Sequence, residues 1–167
     1  TITSVDGNGV ISSSSTLMVK VLVKNTWDGE YELTGGMVDA ANSGISGDYP
    51  NSYHLITSGA NTVDGYNIVS GWEGYYVPIL SAGAQSVYGS FAPVFTFDPA
   101  TNKITSVTNI YGVPSNTRTA DIDPSGENFY DPETKTIKVK FFMKQPSVVT
   151  TAPLSLIHIS EPTRLLS

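Results

Sequence analysis

Trp72, Tyr75 and Tyr76 lie in and beside a loop flanked by Gly71 and Gly74, and Tyr66 and Tyr88 bracket them. Sugar rings stack their C–H faces on exposed aromatic rings, and ligand sites pair such apolar surface with a few placed polar groups. Asn67 and Glu73 are the candidate polar partners here. Loops on a rigid scaffold are also where binding residues concentrate. Tyr and Trp equally serve as strand formers that pack with their polar end wet, so a purely structural role for these rings stands beside the binding one. Trp27, next to Asp28-Gly29, can plug the end of a sheet.

Other chemistry is thinner. Asp121, Asp123 and Ser125 alternate ahead of Gly126, as in the first half of a calcium loop. The twelfth position is Pro132, where a bidentate Glu belongs, and Asp131 and Glu133 only flank it. An Asp-Pro turn accounts for the same residues, and Asp98-Pro99 and Asp131-Pro132 repeat that pairing. His54 has neither a Gly-x-Ser-x-Gly elbow nor the companions a metal cluster needs, and reads as an exposed strand residue. A glycosidase needs two acids flanking one bond, but Asp28, Asp98, Asp123 and Asp131 all sit in turn sequences. The residues therefore point to a non-enzyme, without a cofactor or a firm metal site.

Composition sets the outer limits. The chain has 167 residues and no cysteine, which suggests one domain with no disulfide, thiolate metal site or cysteine nucleophile. Only 14% of residues are charged, with 15 Gly and 9 Tyr, a surface chemistry common in exported β-rich proteins. The net charge of −6 argues against nucleic acid as a partner. No apolar run approaches the roughly 18 residues of a membrane helix. The start at Thr1 reads as an internal position, with 1–15 a linker or the end of an upstream domain. At the other end, Leu154–Arg164 (LSLIHISEPTR) resembles a translated sequencing-library adapter, so 154–167 is set apart as a non-native tail and 16–153 is taken as the domain.

The elements that must position these residues are strands. Val19, Val21 and Val23 alternate with Lys20, Leu22 and Lys24; Asn25–Gly29 is a turn; and Tyr31, Leu33 and Met37 continue at a period of two. Gly35-Gly36 suggests a bulge or a close backbone approach. Ala40–Pro50 reads as a loop. Tyr53–Thr57, Asn61–Val69 and Tyr75–Leu80 read as strands, the last an edge or bulged strand because of Pro78. Phe91, Pro93, Phe95 and Phe97 alternate up to the Asp98–Asn102 turn. Ile104, Ser106, Thr108 and Ile110 follow at the same period of two, and Ile137, Val139, Phe141 and Met143 share one face of a last strand. Helix candidates are poor because β-branched residues, Gly and Pro are dense. Short connections favour an all-β antiparallel meander, closed as a flattened, lipocalin-like barrel or folded as a β-sandwich.

Several segments together resemble a family: Val23–Gly29, Tyr31–Gly35, Leu55–Ala60, Tyr88–Pro93, Phe95–Asp98, Tyr111-Gly112, Asp123–Gly126 and Phe142–Pro146. They are similar to an uncharacterised C-terminal domain of Bacteroidota lipoproteins, which follows another uncharacterised β-sandwich domain in polysaccharide-utilisation systems. The resemblance runs from about Lys20 to Pro153. It implies a non-catalytic accessory domain facing the periplasm or the cell surface, with oligosaccharide or host glycan as ligand and an upstream domain of the same lipoprotein as neighbour. A structural spacer, or a domain that docks a protein such as an outer-membrane transporter, is the alternative. The family pattern ends in one further strand, so the closing C-terminal strand is expected to be missing here and the sheet edge beside it open.

Overall fold

Where apolar and polar residues alternate strictly, this chain forms strands with the apolar set inward. The computed structural model describes residues 23–112 and 117–145, and the backbone of 155–160. Its strands are β1 (Gly29–Met37), β2 (Ile45–Gly47), β3 (Asn51–Gly59), β4 (Thr62–Asn67), β5 (Val77–Ser81), β6 (Ala84–Tyr88), β7 (Pro93–Phe97), β8 (Ile104–Asn109), β9 (Thr119–Ile122), β10 (Phe129–Asp131), β11 (Thr136–Lys144) and β12 (Ser155–Ser160). Among the described residues no helix is long and apolar enough to cross a membrane. The expected linker over 1–15, and the expected first strand apart from Val23, lie outside the described residues.

All strand pairs are antiparallel. The large sheet runs β10-β11-β12-β1-β3-β4-β7-β8, with β9 also on β11, and the small sheet runs β2-β5-β6. The large sheet curls until its ends meet. Lys103, just before β8, bridges to Phe129 in β10, and Ile104 N–H donates to the Asn128 carbonyl and Tyr130 N–H to the Asn102 carbonyl, each at 2.8 Å. The expected all-β antiparallel architecture is therefore present, as a curled sheet with a small sheet packed on it. One core joins them, with Leu33, Leu55, Val63, Phe95, Ile137 and Phe141 fully buried. Trp27 is the plug: it is buried and its ring stacks on Phe97 at 4.2 Å.

The inward faces of β7 and β11 are those expected, with Phe95, Phe97, Ile137, Val139, Phe141 and Met143 buried. Four features differ. In β8 the buried residues are Ile104, Val107 and Asn109 rather than an unbroken even series. The register shifts opposite Thr96 and Phe97, leaving Thr105 as an extra residue, and one such insertion flips every later side chain to the other face. Second, Pro78 lies in the middle strand of the small sheet, not at an edge. Its carbonyl accepts from Asp48 N–H on the β2 side. In a strand a residue's N and C=O point the same way, so the missing N–H faces the place where three-residue β2 has already ended. Third, β1 keeps its pairing with β12 across Gly35-Gly36 and does not bulge. Fourth, β2 falls within the expected loop, and β9 and β10 had no strand-like sequence to mark them.

The sheet edge expected to stand open beside a missing closing strand is covered, and the covering strand is β12, from the C-terminal tail. β12 pairs with β11 on one side and β1 on the other. Its register sets Ile159 opposite both Leu33 and Ile137, and Ile157 opposite both Gly35 and Val139. Two long strands with free backbone groups facing one slot are satisfied by any extended segment that brings aliphatic residues at alternate positions. Since β12 is the only strand between β1 and β11 in the sheet order, removing its hydrogen bonds should split the sheet there. Ile157→Pro is expected to lower the melting temperature by several degrees and to promote aggregation, measured by circular dichroism and light scattering against Ser155→Ala as a control.

Candidate aromatic binding face

β4 ends at Asn67 in the large sheet and β5 starts at Val77 in the small one, so residues 68–76 form the crossover between sheets. Asn67 and Gly74 close the base of this loop by exchanging backbone hydrogen bonds of 2.7 and 3.0 Å. The buried Asn67 side chain donates from Nδ2 to the Trp72 carbonyl at 2.7 Å. Asn67 is thus committed to shaping the loop and reaches a ligand only through Trp72. Trp72 N–H donates to the Val69 carbonyl at 2.9 Å, and the exposed Glu73 accepts from Gly71 N–H at 3.0 Å. With its backbone held from both sides, the Trp72 side chain stands 41% exposed.

The far end of the loop is pinned from below. Tyr53, fully buried in β3, donates its hydroxyl to the Tyr76 carbonyl at 2.8 Å. Gly65 makes room for that phenol: a Cβ there would come within 2.5 Å of the Tyr53 oxygen. Gly74, at φ +153°, leaves the space that the Tyr76 ring occupies. Tyr75 meets Tyr66 of β4 edge-on, with ring centroids 5.0 Å apart and planes at 89°, a favoured aromatic geometry.

A residue without a candidate role in the sequence completes the group. Tyr111, just beyond β8, donates its hydroxyl to the Tyr75 carbonyl at 3.0 Å and is 38% exposed. Partial burial raises its phenol pKa, and the neighbouring Tyr76 and Tyr75 phenols add to that effect. Asn109 fixes its approach. The buried Asn109 carboxamide accepts from Ala92 N–H and Tyr111 N–H and donates to the Ser90 and Arg118 carbonyls. Only the Tyr111-Gly112 pair at a strand end marks this position in the sequence. Tyr88 belongs elsewhere: it is buried, hydrogen-bonded to Gln145 and Asp39, and covered by the Arg118 guanidinium at 4.4 Å from its ring centre.

No family model, curated protein or solved structure matches this chain.

The remaining candidates resolve into turns and ion pairs. β9 and β11 lie side by side, which brings Lys144 to Asp121 and Lys140 to Asp123. Lys140 Nζ also donates to Ser125 Oγ at 2.8 Å, so all three oxygen-bearing residues of the calcium-loop sequence are engaged by lysines. Among the described residues no group of three or more His, Cys, Asp or Glu is placed to hold a metal. His54 Nε2 lies 3.7 Å from Asp28 Oδ1, and that carboxylate is also held by Lys24 and by Thr57 N–H. Burial alone would raise the Asp28 pKa; the hydrogen bonds from Lys24 and Thr57 outweigh it and bring the group below its usual value. The adjacent Thr57 hydroxyl accepts from Asn25 N–H. Glu30 and Glu32 do share one shallow hollow of about 320 Å³ with Pro50, Asn51 and Ser52. Both are exposed.

Asp98, Asp123 and Asp131 cap their turns as expected. Thr101 Oγ1 and Ala100 N–H bind Asp98, Ser125 N–H binds Asp123, and Thr134 Oγ1 and Glu133 N–H bind Asp131. These bonds favour the ionised form, and all three pKa values are lowered. A carboxylate with a depressed folded-state pKa contributes stability above its unfolded value of about 4, and that contribution is lost as pH falls through the folded value. The melting temperature should therefore hold from pH 7 to about 5 and decline below about pH 4. The triple variant Asp98→Asn, Asp123→Asn, Asp131→Asn should show a shallower acid decline by circular dichroism.

Asn67→Ala leaves the Trp72 carbonyl without its buried donor. It should cost about 1–3 kcal/mol in chemical denaturation and increase acrylamide quenching of Trp72, measured in a Trp27→Phe background.

Proposed function

We propose that this chain is a non-catalytic accessory domain of an exported or surface lipoprotein, and that it binds oligosaccharide on the face formed by Trp72, Tyr75 and Tyr76. The supporting observation is that Trp72 stays 41% exposed although both ends of its loop are hydrogen-bonded to buried side chains, Asn67 and Tyr53. Trp27, the other tryptophan, is by contrast turned inward. Fixing the loop that carries Trp72 lowers the ordering cost of binding, which is what a stacking platform requires. Glu73, exposed beside Trp72, is the polar group available to sugar hydroxyls. The likeness to surface lipoprotein domains supplies the cellular setting of this reading, at the outer-membrane surface or in the periplasm.

The test is a glycan array followed by titration calorimetry on the best ligand. Trp72→Ala and Tyr76→Ala are each expected to weaken binding about tenfold, the equivalent of one stacking contact. Unchanged affinity in both variants would remove the site, and failure to bind any glycan would leave the spacer or docking role in its place.

A further inference from the structure

We infer that the aromatic face selects neutral sugars over anionic ones and that Tyr111 is one of its binding rings; the inference rests on the glycan-binding reading above. Two independent observations carry it. The first is contact between distant segments. Tyr111 approaches from the end of β8, its hydroxyl sits on the Tyr75 carbonyl, and it is exposed to nearly the same degree as Trp72. That hydrogen bond fixes the phenol against the loop while the ring stays partly exposed to a ligand. The face is then composite, drawn from the crossover loop, from Tyr66 on β4 and from Tyr111 after β8.

The second observation is charge. From Leu55 to Asn102 the sequence contains no Lys, Arg or His, and neither does Ile104 to Thr117. Every segment that contributes to the face falls inside those two stretches. Lys103, between them, lies at the opposite end of β8 from Tyr111, where it bridges to Phe129. His54 is the cross-strand partner of Tyr66, and its Nε2 lies beside the Asp28 carboxylate. Arg118 places its guanidinium over the buried Tyr88 ring. The charge on the loop itself is that of Glu73. Carboxylate and sulfate groups are recognised by Arg forks or Lys ammonium groups, and an unpaired acid nearby repels them. The net charge of −6 adds to that repulsion over the approach.

The experiment titrates the chain with neutral hexasaccharides (gluco-, manno- and xylo-configured) and with two anionic ones, a hexagalacturonate and a heparin-derived hexasaccharide, at 0.15 M salt. At least one neutral ligand should bind at least about tenfold more tightly than either anionic one, and Glu73→Lys should narrow that gap. Tyr111→Ala should weaken the neutral ligand about tenfold, while Tyr111→Phe, which keeps the ring, weakens it less. Circular dichroism confirms that each variant is folded. Anionic binding as tight as neutral binding, or neutral binding indifferent to Tyr111→Ala, would overturn the inference and leave the glycan reading standing. Absence of binding by all five ligands would overturn both.

Discussion

A sheet satisfies its own backbone, but the loops that leave it do not, and in this protein asparagine carboxamides do much of that work. Asn25 donates to the Gly59 and Thr62 carbonyls and accepts from Trp27 N–H, tying the first turn to the β3–β4 hairpin. Asn67 holds the crossover loop, Asn109 gathers the chain on either side of β7 and β8, and Asn128 binds the Asp123 and Gly126 carbonyls while accepting from Lys140 N–H. A carboxamide carries both a donor and an acceptor without charge, so it can replace a missing strand neighbour at little desolvation cost. An unmet buried carbonyl would cost about 1–3 kcal/mol, and several unmet together would rival the net stability of a domain this size. The aromatic face depends on two of these four residues.

Legibility in the sequence follows the length and purity of the alternation. β7 and β11 carry bulky apolar residues at every second position, so their faces are readable without any partner. β2 and β10 have three residues each and β9 has four, too few to show a period. They are strands because a neighbour already in place offers them free backbone groups, β5 for β2 and the long β11 for β9 and β10, a tertiary cause that local sequence does not record. The bulge at Thr105 is of the same kind, since Thr suits either face and nothing beside it marks an extra residue. Pro78 misled for a different reason: the rule against proline inside a sheet concerns its missing donor, and here the neighbouring strand is short enough not to need one.

The candidate site was legible in part. Gly71 and Gly74 around Trp72 announced an irregular loop with an exposed ring, and the loop is there. Tyr111 could not be read, because its contact with Tyr75 spans 36 positions and depends on the pairing β4-β7-β8, which brings the ends of β4 and β8 to one side of the sheet. Asn67 was legible as polar and nearby, but its work lies inside the loop rather than on a ligand. The distinction is one of burial, and an asparagine next to a turn looks the same in sequence whether its side chain faces in or out.

The position of the face also follows from the topology. The chain leaves the large sheet at Asn67 and enters the small one at Val77, so the loop between them is anchored in two sheets that share one core. A loop tethered at a single hairpin could absorb a poor ligand fit by moving as a whole. This one is bridged at its base by Asn67 and Gly74, held at Trp72 by the Asn67 carboxamide, and held at Tyr76 by the buried Tyr53 hydroxyl. Rigidity of that sort does little for a spacer, whose surface need only stay soluble, and exposed aromatic rings work against solubility. It does serve a surface that must meet a weakly interacting partner with little ordering cost. The same hydrogen bonds that fix the loop backbone leave Trp72 at the surface and Tyr75 and Tyr76 half-buried beside it.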